Sequence, residues 1–236
     1  MNAFVAEGIG TALLVLMGNG VVANVVLKKT FGSGSGLIVI AFGWAIAVFI
    51  GVMVAAPHSG AHLNPAVSIA MAVLGKISWM TAVQYIMAQM LGAMIGATLV
   101  YMTYRDHYFA SDDRGAKLGS FCTSPAIANT FGNLFTEAIA TFVLVFAVLH
   151  IISPEAKIGS LDALPVALIV LGLGLSLGGP TGYAINPARD LGPRIMHAVL
   201  SIPDKRDSNW SYSWIPVVGP IFGGVMAALL FGVLKG

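Results

Sequence analysis

Apolar runs of two lengths alternate with short polar breaks along this chain. Six runs, at about 4–27, 37–56, 79–104, 134–152, 163–178 and 214–234, approach or exceed the ~20 residues a helix needs to cross a hydrocarbon core, the fifth at the short end. Two others, 66–74 and 188–200, are too short to cross. The breaks are the Gly-Ser-Gly-Ser-Gly stretch at 32–36, a long polar segment at 105–133, and shorter ones at 153–162 and 201–213. The order is span, span, short run, span, connector, and then the same again. This predicts an all-α membrane protein of six transmembrane helices and two half-helices. The domain expected is a single one, 1–236, with halves 1–104 and 132–236 joined by a polar connector at 105–131.

Each short run opens on the same triplet, Asn64-Pro65-Ala66 and Asn186-Pro187-Ala188. Asn is a preferred helix N-cap and Pro fits the first helical position, so each triplet reads as a helix start. The halves match elsewhere too: Ala6-Glu7-Gly8-Ile9-Gly10-Thr11 opens the first, and Thr136-Glu137-Ala138-Ile139-Ala140-Thr141 opens the second. With three spans per half, the second copy enters from the opposite face, giving an inverted repeat whose half-helix N-termini meet near the midplane. Facing N-termini concentrate positive charge, which admits neutral solutes with oxygen lone pairs and repels cations.

Composition agrees with a lipid solvent: 57% of residues are hydrophobic and 9% charged, against about 25% charged in soluble domains. A net charge of +2, thinly scattered, offers no nucleic-acid surface. One cysteine, Cys122, excludes an internal disulfide. The N-terminus lacks a basic n-region, carries Glu7 early and stays apolar to Leu27, as expected of a retained membrane helix and not of a leader.

Few residues can carry chemistry. Arg189, on the first turn of the second half-helix, is a membrane-embedded charge and so a candidate donor fork at a constriction. Asp190 and Arg194 read equally well as structural. Glu7 and Glu137 are expected to brace the non-helical backbone ahead of each half-helix, since a buried carboxylate persists by accepting hydrogen bonds. His58, His62, His107, His150 and His197 show no metal-ligand spacing, and no metal or other cofactor is expected. No nucleophile motif, P-loop or dinucleotide fingerprint is present, so no enzymatic activity is expected. Small-residue pairs Gly92–Gly96, Gly219–Gly223 and Gly224–Ala228 suit close helix approach.

The segments Ser59-Gly60-Ala61-His62-Leu63-Asn64-Pro65-Ala66-Val67 and Gly182-Tyr183-Ala184-Ile185-Asn186-Pro187-Ala188-Arg189-Asp190 resemble the two signatures of the major intrinsic proteins, the aquaporin and glycerol-facilitator family. The similarity covers essentially the whole chain. It implies a right-handed, aquaporin-like bundle, one pore per subunit of a homotetramer, and a multi-pass plasma-membrane protein with both termini cytoplasmic. Loop charge opposes that orientation: the inner loops would hold Lys76, Lys157 and Lys235, and the outer ones Lys28, Lys29, Arg105, Arg114, Lys117, Lys205 and Arg206.

The resemblance also implies a selectivity filter of Trp44, Gly174, Tyr183 and Arg189, and pore-lining carbonyls from Gly60, Ala61, His62, Gly182, Tyr183 and Ala184. Gly at 174, where water-selective members place His, together with Asp190 and Pro216-Val217, looks like the glycerol-conducting branch of the bacterial facilitator type. Two departures stand out. Tyr183, where that branch usually has Phe, is expected to add polarity at the filter, and Pro57-His58 to alter the inner vestibule. The expected activity is passive diffusion of glycerol and other small neutral solutes, with some water. Urea, dihydroxyacetone, undissociated lactic acid and peroxide stay open as solutes. A water-dominant pore is one alternative. An ion-coupled transporter would need carboxylates beyond Glu7 and Glu137, and a junctional protein an expanded adhesive loop or tail.

Overall fold

The computed structural model describes residues 1–151 and 159–235. Most of the break expected at 153–162, with Lys157, and the terminal residues Ile152 of the fourth run and Gly236 of the tail lie outside the described residues. Regular structure among the described residues is helical throughout: α1 (Ala3–Val26), α2 (Leu37–Ser59), α3 (Pro65–Val73), α4 (Trp79–Thr103), α5 (Arg105–Ala110), α6 (Arg114–Gly119), α7 (Thr130–Ile151), α8 (Leu164–Leu177), α9 (Pro187–Val199) and α10 (Ile215–Lys235).

Five helices, α1, α2, α4, α7 and α10, are long and apolar enough to cross a membrane. The fifth expected span is shorter: α8 has 14 residues, about 21 Å of rise, and is preceded by a 3₁₀ turn at Gly159–Ala163. The polar connector is more ordered than a loop reading suggests. It folds into α5 and α6, and α6 packs on α1. From α6 the buried Lys117 donates its ammonium to the Pro203 carbonyl at 2.6 Å.

Local chemistry sets the half-helix boundaries. Asn64 caps α3, its Oδ1 accepting from the Ala66 N–H at 2.9 Å, and Pro65 occupies the first helical position. At the far end Gly75, at φ +67, allows a Schellman closure: the Lys76 N–H bonds the Met71 carbonyl (2.9 Å) and the Gly75 N–H that of Ala72 (3.0 Å). Asn186 caps α9 in the same way, accepting from Ala188 and Arg189 at 3.0 and 3.2 Å. There the last carbonyls are closed by a side chain from beyond the helix. The Lys205 ammonium donates to those of His197, Ala198 and Leu200 at 2.7, 2.7 and 2.6 Å.

The two halves interlock. α1 packs against α2 and α4, and α7 against α8 and α10, with α2 meeting α8 between them. Half-helix α3 leans mainly on α10 of the second half and α9 on α4 of the first. The close contacts repeat across the halves. A Cβ at Gly92 of α4 would lie 2.1 Å from the Gly8 carbonyl oxygen of α1, and one at Gly223 of α10 would lie 2.0 Å from that of Ala138 of α7. Outward-facing Ile38, Ile46, Leu91, Ile95, Phe222 and Val233 leave an apolar exterior that suits lipid.

Candidate pore and its constriction

Each half-helix is led in by five residues that cannot be helical, 60–64 and 182–186. Their backbones match position by position. Gly60, Ala61 and Leu63 take φ of +81°, +52° and +50°, and Gly182, Tyr183 and Ile185 take +77°, +38° and +45°. Left-handed backbone costs a non-glycine residue roughly 1–2 kcal/mol, so something must hold four such residues in place.

Two buried carboxylates bind these loops. Glu7 of α1 accepts from the backbone N–H of His62 (2.8 Å) and Leu63 (2.7 Å), from the Ser59 hydroxyl (2.6 Å) and from the Gln89 amide (2.8 Å). Glu137 of α7 accepts from the N–H of Ala184 (3.0 Å) and Ile185 (2.8 Å). Both are fully buried. In a planar trans peptide the C=O points opposite to the N–H, and the described residues have no cis bonds. Each N–H turned toward a carboxylate therefore turns the preceding carbonyl away from it. Those are Ala61 and His62 in the first loop and Tyr183 and Ala184 in the second.

The loops also bind each other. The Asn64 amide donates to the Ile185 carbonyl and the Asn186 amide to the Leu63 carbonyl, both at 2.8 Å. Each Asn oxygen is spent on its own helix cap and one N–H on the opposite loop. A second N–H per amide is left, and both residues line a cavity of about 130 Å³.

That cavity is lined by two unlike sets of groups. The loops and half-helices bring Gly60, Ala61, His62, Tyr183 and Ala184 and the two Asn amides, together with the apolar Leu63, Val67 and Ile185. Helices α1, α2, α7 and α8 bring Leu14, Val48, Val52, Leu144, Val148, Val166 and Val170. Trp44, Tyr183 and Arg189 also line it. The Arg189 guanidinium carbon stands 4.2 Å from the centroid of a Trp44 ring, and Nη1 donates to the Phe121 carbonyl at 3.5 Å. That carbonyl also receives the buried Asn19 amide at 2.9 Å.

Gly174 and Gly182 do not line the cavity. The Tyr183 ring fills the space over Gly174, where a Cβ would meet its Cζ at 2.9 Å and Oη at 3.0 Å. The Tyr183 hydroxyl is buried without a hydrogen-bond partner among the described residues. The cavity therefore meets the ring, and the polarity expected of that hydroxyl is turned away from it. Gly182 is set back, its N–H bonded to the Gly178 carbonyl at 2.8 Å.

Asp190 and Arg194 form a buried ion pair at 2.8 Å. Asp190 Oδ2 accepts from the Thr123 N–H (2.7 Å) and hydroxyl (2.6 Å), while Arg194 donates to the carbonyls of Thr123 (2.8 Å), Ser208 (2.7 Å) and Asn209 (3.2 Å). This knot fastens the connector and the segment after α9 to the half-helix that carries Arg189. The sequence gives no sign of those carbonyl partners, nor of Asn19, Phe121 and Gln89 as supports. A backbone acceptor has no residue signature, and the partners lie 14 to 102 residues away.

His62 stays in the first loop's network, its Nδ1 at 3.1 Å from the Ser68 hydroxyl and its ring edge-on to Tyr85. Pro57 and His58 close the last turn of α2, where the Gly60 N–H bonds the Ala56 carbonyl at 3.2 Å. Of the cations expected in the outer loops, Lys117 and Lys205 bind carbonyls, Lys28 pairs with Asp112 at 2.5 Å and Arg105 lies over Phe109. Those four are committed to local structure.

Comparison with known proteins agrees with this geometry. The chain is 53% identical to a probable glycerol uptake facilitator protein of Thermotoga maritima, covering 99% of this chain and all of the relative. It is 50% identical to the glycerol uptake facilitator protein of Streptococcus pneumoniae, over 99% of each. The fold superposes on the crystal structure of the aquaglyceroporin from Plasmodium falciparum with a TM-score of 0.86 at 34% identity, covering 97% of this chain and 93% of that one. The family described as Major intrinsic protein matches residues 1–231. A helical bundle with two capped half-helices meeting at a cavity, and a family match over nearly its whole length, establish that this chain belongs to the major intrinsic protein family.

Proposed function

We propose that the protein is a passive channel for glycerol and similar small neutral solutes, with some water passing the same way. The observation that carries this is the mixed lining of the cavity. Loop carbonyls, Asn64, Asn186 and Arg189 offer hydrogen-bond partners, and valines and leucines supply apolar surface. A polyol has the matching mixture, hydroxyls on one edge and carbon on the other. Its hydroxyls accept from Arg189 and the amides and donate to carbonyls of Ala61, His62, Tyr183 and Ala184, so each shed water is replaced by a fixed partner. Trp44 and the Tyr183 ring bound the width, and Gly174 gives Tyr183 the room to lie back.

Cations meet the Arg189 charge and two positive helix ends, with no carboxylate among the described residues that line the cavity. In this reading Glu7 and Glu137 hold the loops and move no protons, so transport is downhill and needs no cofactor. The halves 1–104 and 132–236 act as one channel domain of a homotetramer in the cell membrane, with both termini cytoplasmic. The shared family, and the names of the two bacterial relatives, support these assignments.

Stopped-flow light scattering on proteoliposomes tests the reading. Glycerol flux is expected to be fast, indifferent to a proton gradient, and unaccompanied by current in planar bilayers. A sustained cation current, or flux that collapses when the proton gradient is dissipated, replaces the channel by a coupled transporter. Fast water with negligible glycerol makes it a water channel.

A further inference from the structure

The aromatic side chains at the cavity wall owe their positions to missing side chains behind them. The Trp44 indole presses into α1 at Gly18, where a Cβ would lie 2.2 Å from Cζ3, 2.3 Å from Cε3 and 2.4 Å from Cη2. No other helical glycine puts a ring of the cavity wall so close. The ring would have to retreat by roughly 1.2 Å to regain the 3.4 Å of an ordinary contact. Behind Trp44 stands α1, and before it the open cavity and the Arg189 guanidinium at 4.2 Å. Retreat from α1 therefore carries the indole into the solute path. The next residue, Asn19, holds the Phe121 carbonyl to which Arg189 donates, so adjacent positions of α1 back two members of the constriction. Gly174 does the same for Tyr183 from α8.

We propose that Gly18 is a specificity-determining position of this channel: a socket that lets Trp44 withdraw far enough for a polyol to pass, acting through Trp44 without touching solute. The inference rests on the channel reading above and assigns the constriction's width to a residue of α1 outside the pore loops. Water is narrower than glycerol, so a shift of about an ångström at a single-file constriction weighs on glycerol far more than on water.

The test compares glycerol and water permeability in proteoliposomes for wild type, Gly18→Ala, Gly20→Ala, Trp44→Phe and the double variant Gly18→Ala with Trp44→Phe. Gly20 is the control, since a Cβ there meets nothing within 4 Å. Gly18→Ala is expected to lower glycerol permeability at least about tenfold and water less than about threefold, while Gly20→Ala changes neither. The smaller ring of the double variant should restore most of the glycerol flux, and Trp44→Phe alone should raise the glycerol-to-water ratio. A Gly18→Ala protein that conducts water normally and keeps the wild-type ratio overturns the proposal. So does a loss of both fluxes that Trp44→Phe fails to rescue, because Gly18 is then only a packing position. Wild-type vesicles that pass no glycerol overturn the channel reading itself, and this inference with it.

Discussion

The two pore loops are alike in backbone and unlike in side chains. Gly60, Ala61 and Leu63 repeat their left-handed φ at Gly182, Tyr183 and Ile185, and each loop has a capping Asn, a buried Glu behind it and a bond to the other loop. One helical turn on, the likeness ends. Val67 corresponds to Arg189 and Ser68 to Asp190. Ser68 binds only His62 and Gln89 within the first half, whereas Asp190 ties Arg194 and Thr123 and thereby three separate segments. The symmetric parts meet a requirement common to both loops, which is to hold strained backbone with its carbonyls aligned. The asymmetric parts appear once, as the proposed filter requires: one charge and one rigid support for it.

The largest expected effect attacks that asymmetry. Asp190→Ala strands the Arg194 charge in a fully buried site and should cost about 3–5 kcal/mol, seen as loss of folded protein or a steep fall in Tm in detergent. Ser68→Ala at the equivalent position should cost only about 1 kcal/mol. Equal losses would mean that the two half-helices are supported alike.

A second test weighs the carboxylates. Glu137→Ala leaves the N–H groups of Ala184 and Ile185 without an acceptor, at roughly 1–3 kcal/mol each. Glu7→Ala strands two N–H groups together with Ser59 and Gln89, so its fall in Tm should be the greater. The reverse order would show Glu137 to be the more important brace.

The half-helix ends give a smaller contrast. Lys205→Met removes the donor to two carbonyls of α9 and to that of its C-cap Leu200, and should cost about 1–2 kcal/mol by thermal unfolding; Gly75→Ala, at φ +67, should cost α3 about 1 kcal/mol. Smallest of all is Tyr183→Phe. It deletes a buried hydroxyl that has no partner among the described residues, so stability should hold within about 0.5 kcal/mol or rise, and glycerol flux should stay level or increase. A marked drop in flux would place that hydroxyl on the solute.

Much of this was legible in the chain because its signals are local. The Asn-Pro starts and the Gly75 and Pro203 stops put both half-helices within one residue of their observed bounds, 66–74 against Pro65–Val73 and 188–200 against Pro187–Val199. The carboxylates in matching runs pointed toward the backbone they bind, because a buried charge restricts what can surround it. The shortness of α8, the helices α5 and α6, and the carbonyls that hold Arg189 and Arg194 were not legible. They depend on which distant segment folds over which, and a glycine such as Gly18 becomes a socket only when Trp44 of another helix arrives at it.

The crossed bonds between Asn64 and Ile185 and between Asn186 and Leu63 span 121 and 123 residues of chain. At ~5–20 residues per second, the partners of the first loop are made on the order of ten seconds after it. For that interval the nascent first half sits in the translocon or the bilayer with a carbonyl and an amide awaiting their partners at a depth where water is scarce. Its maturation is therefore timed by translation. Slowing synthesis across the connector lengthens the interval in which the first loop stands open.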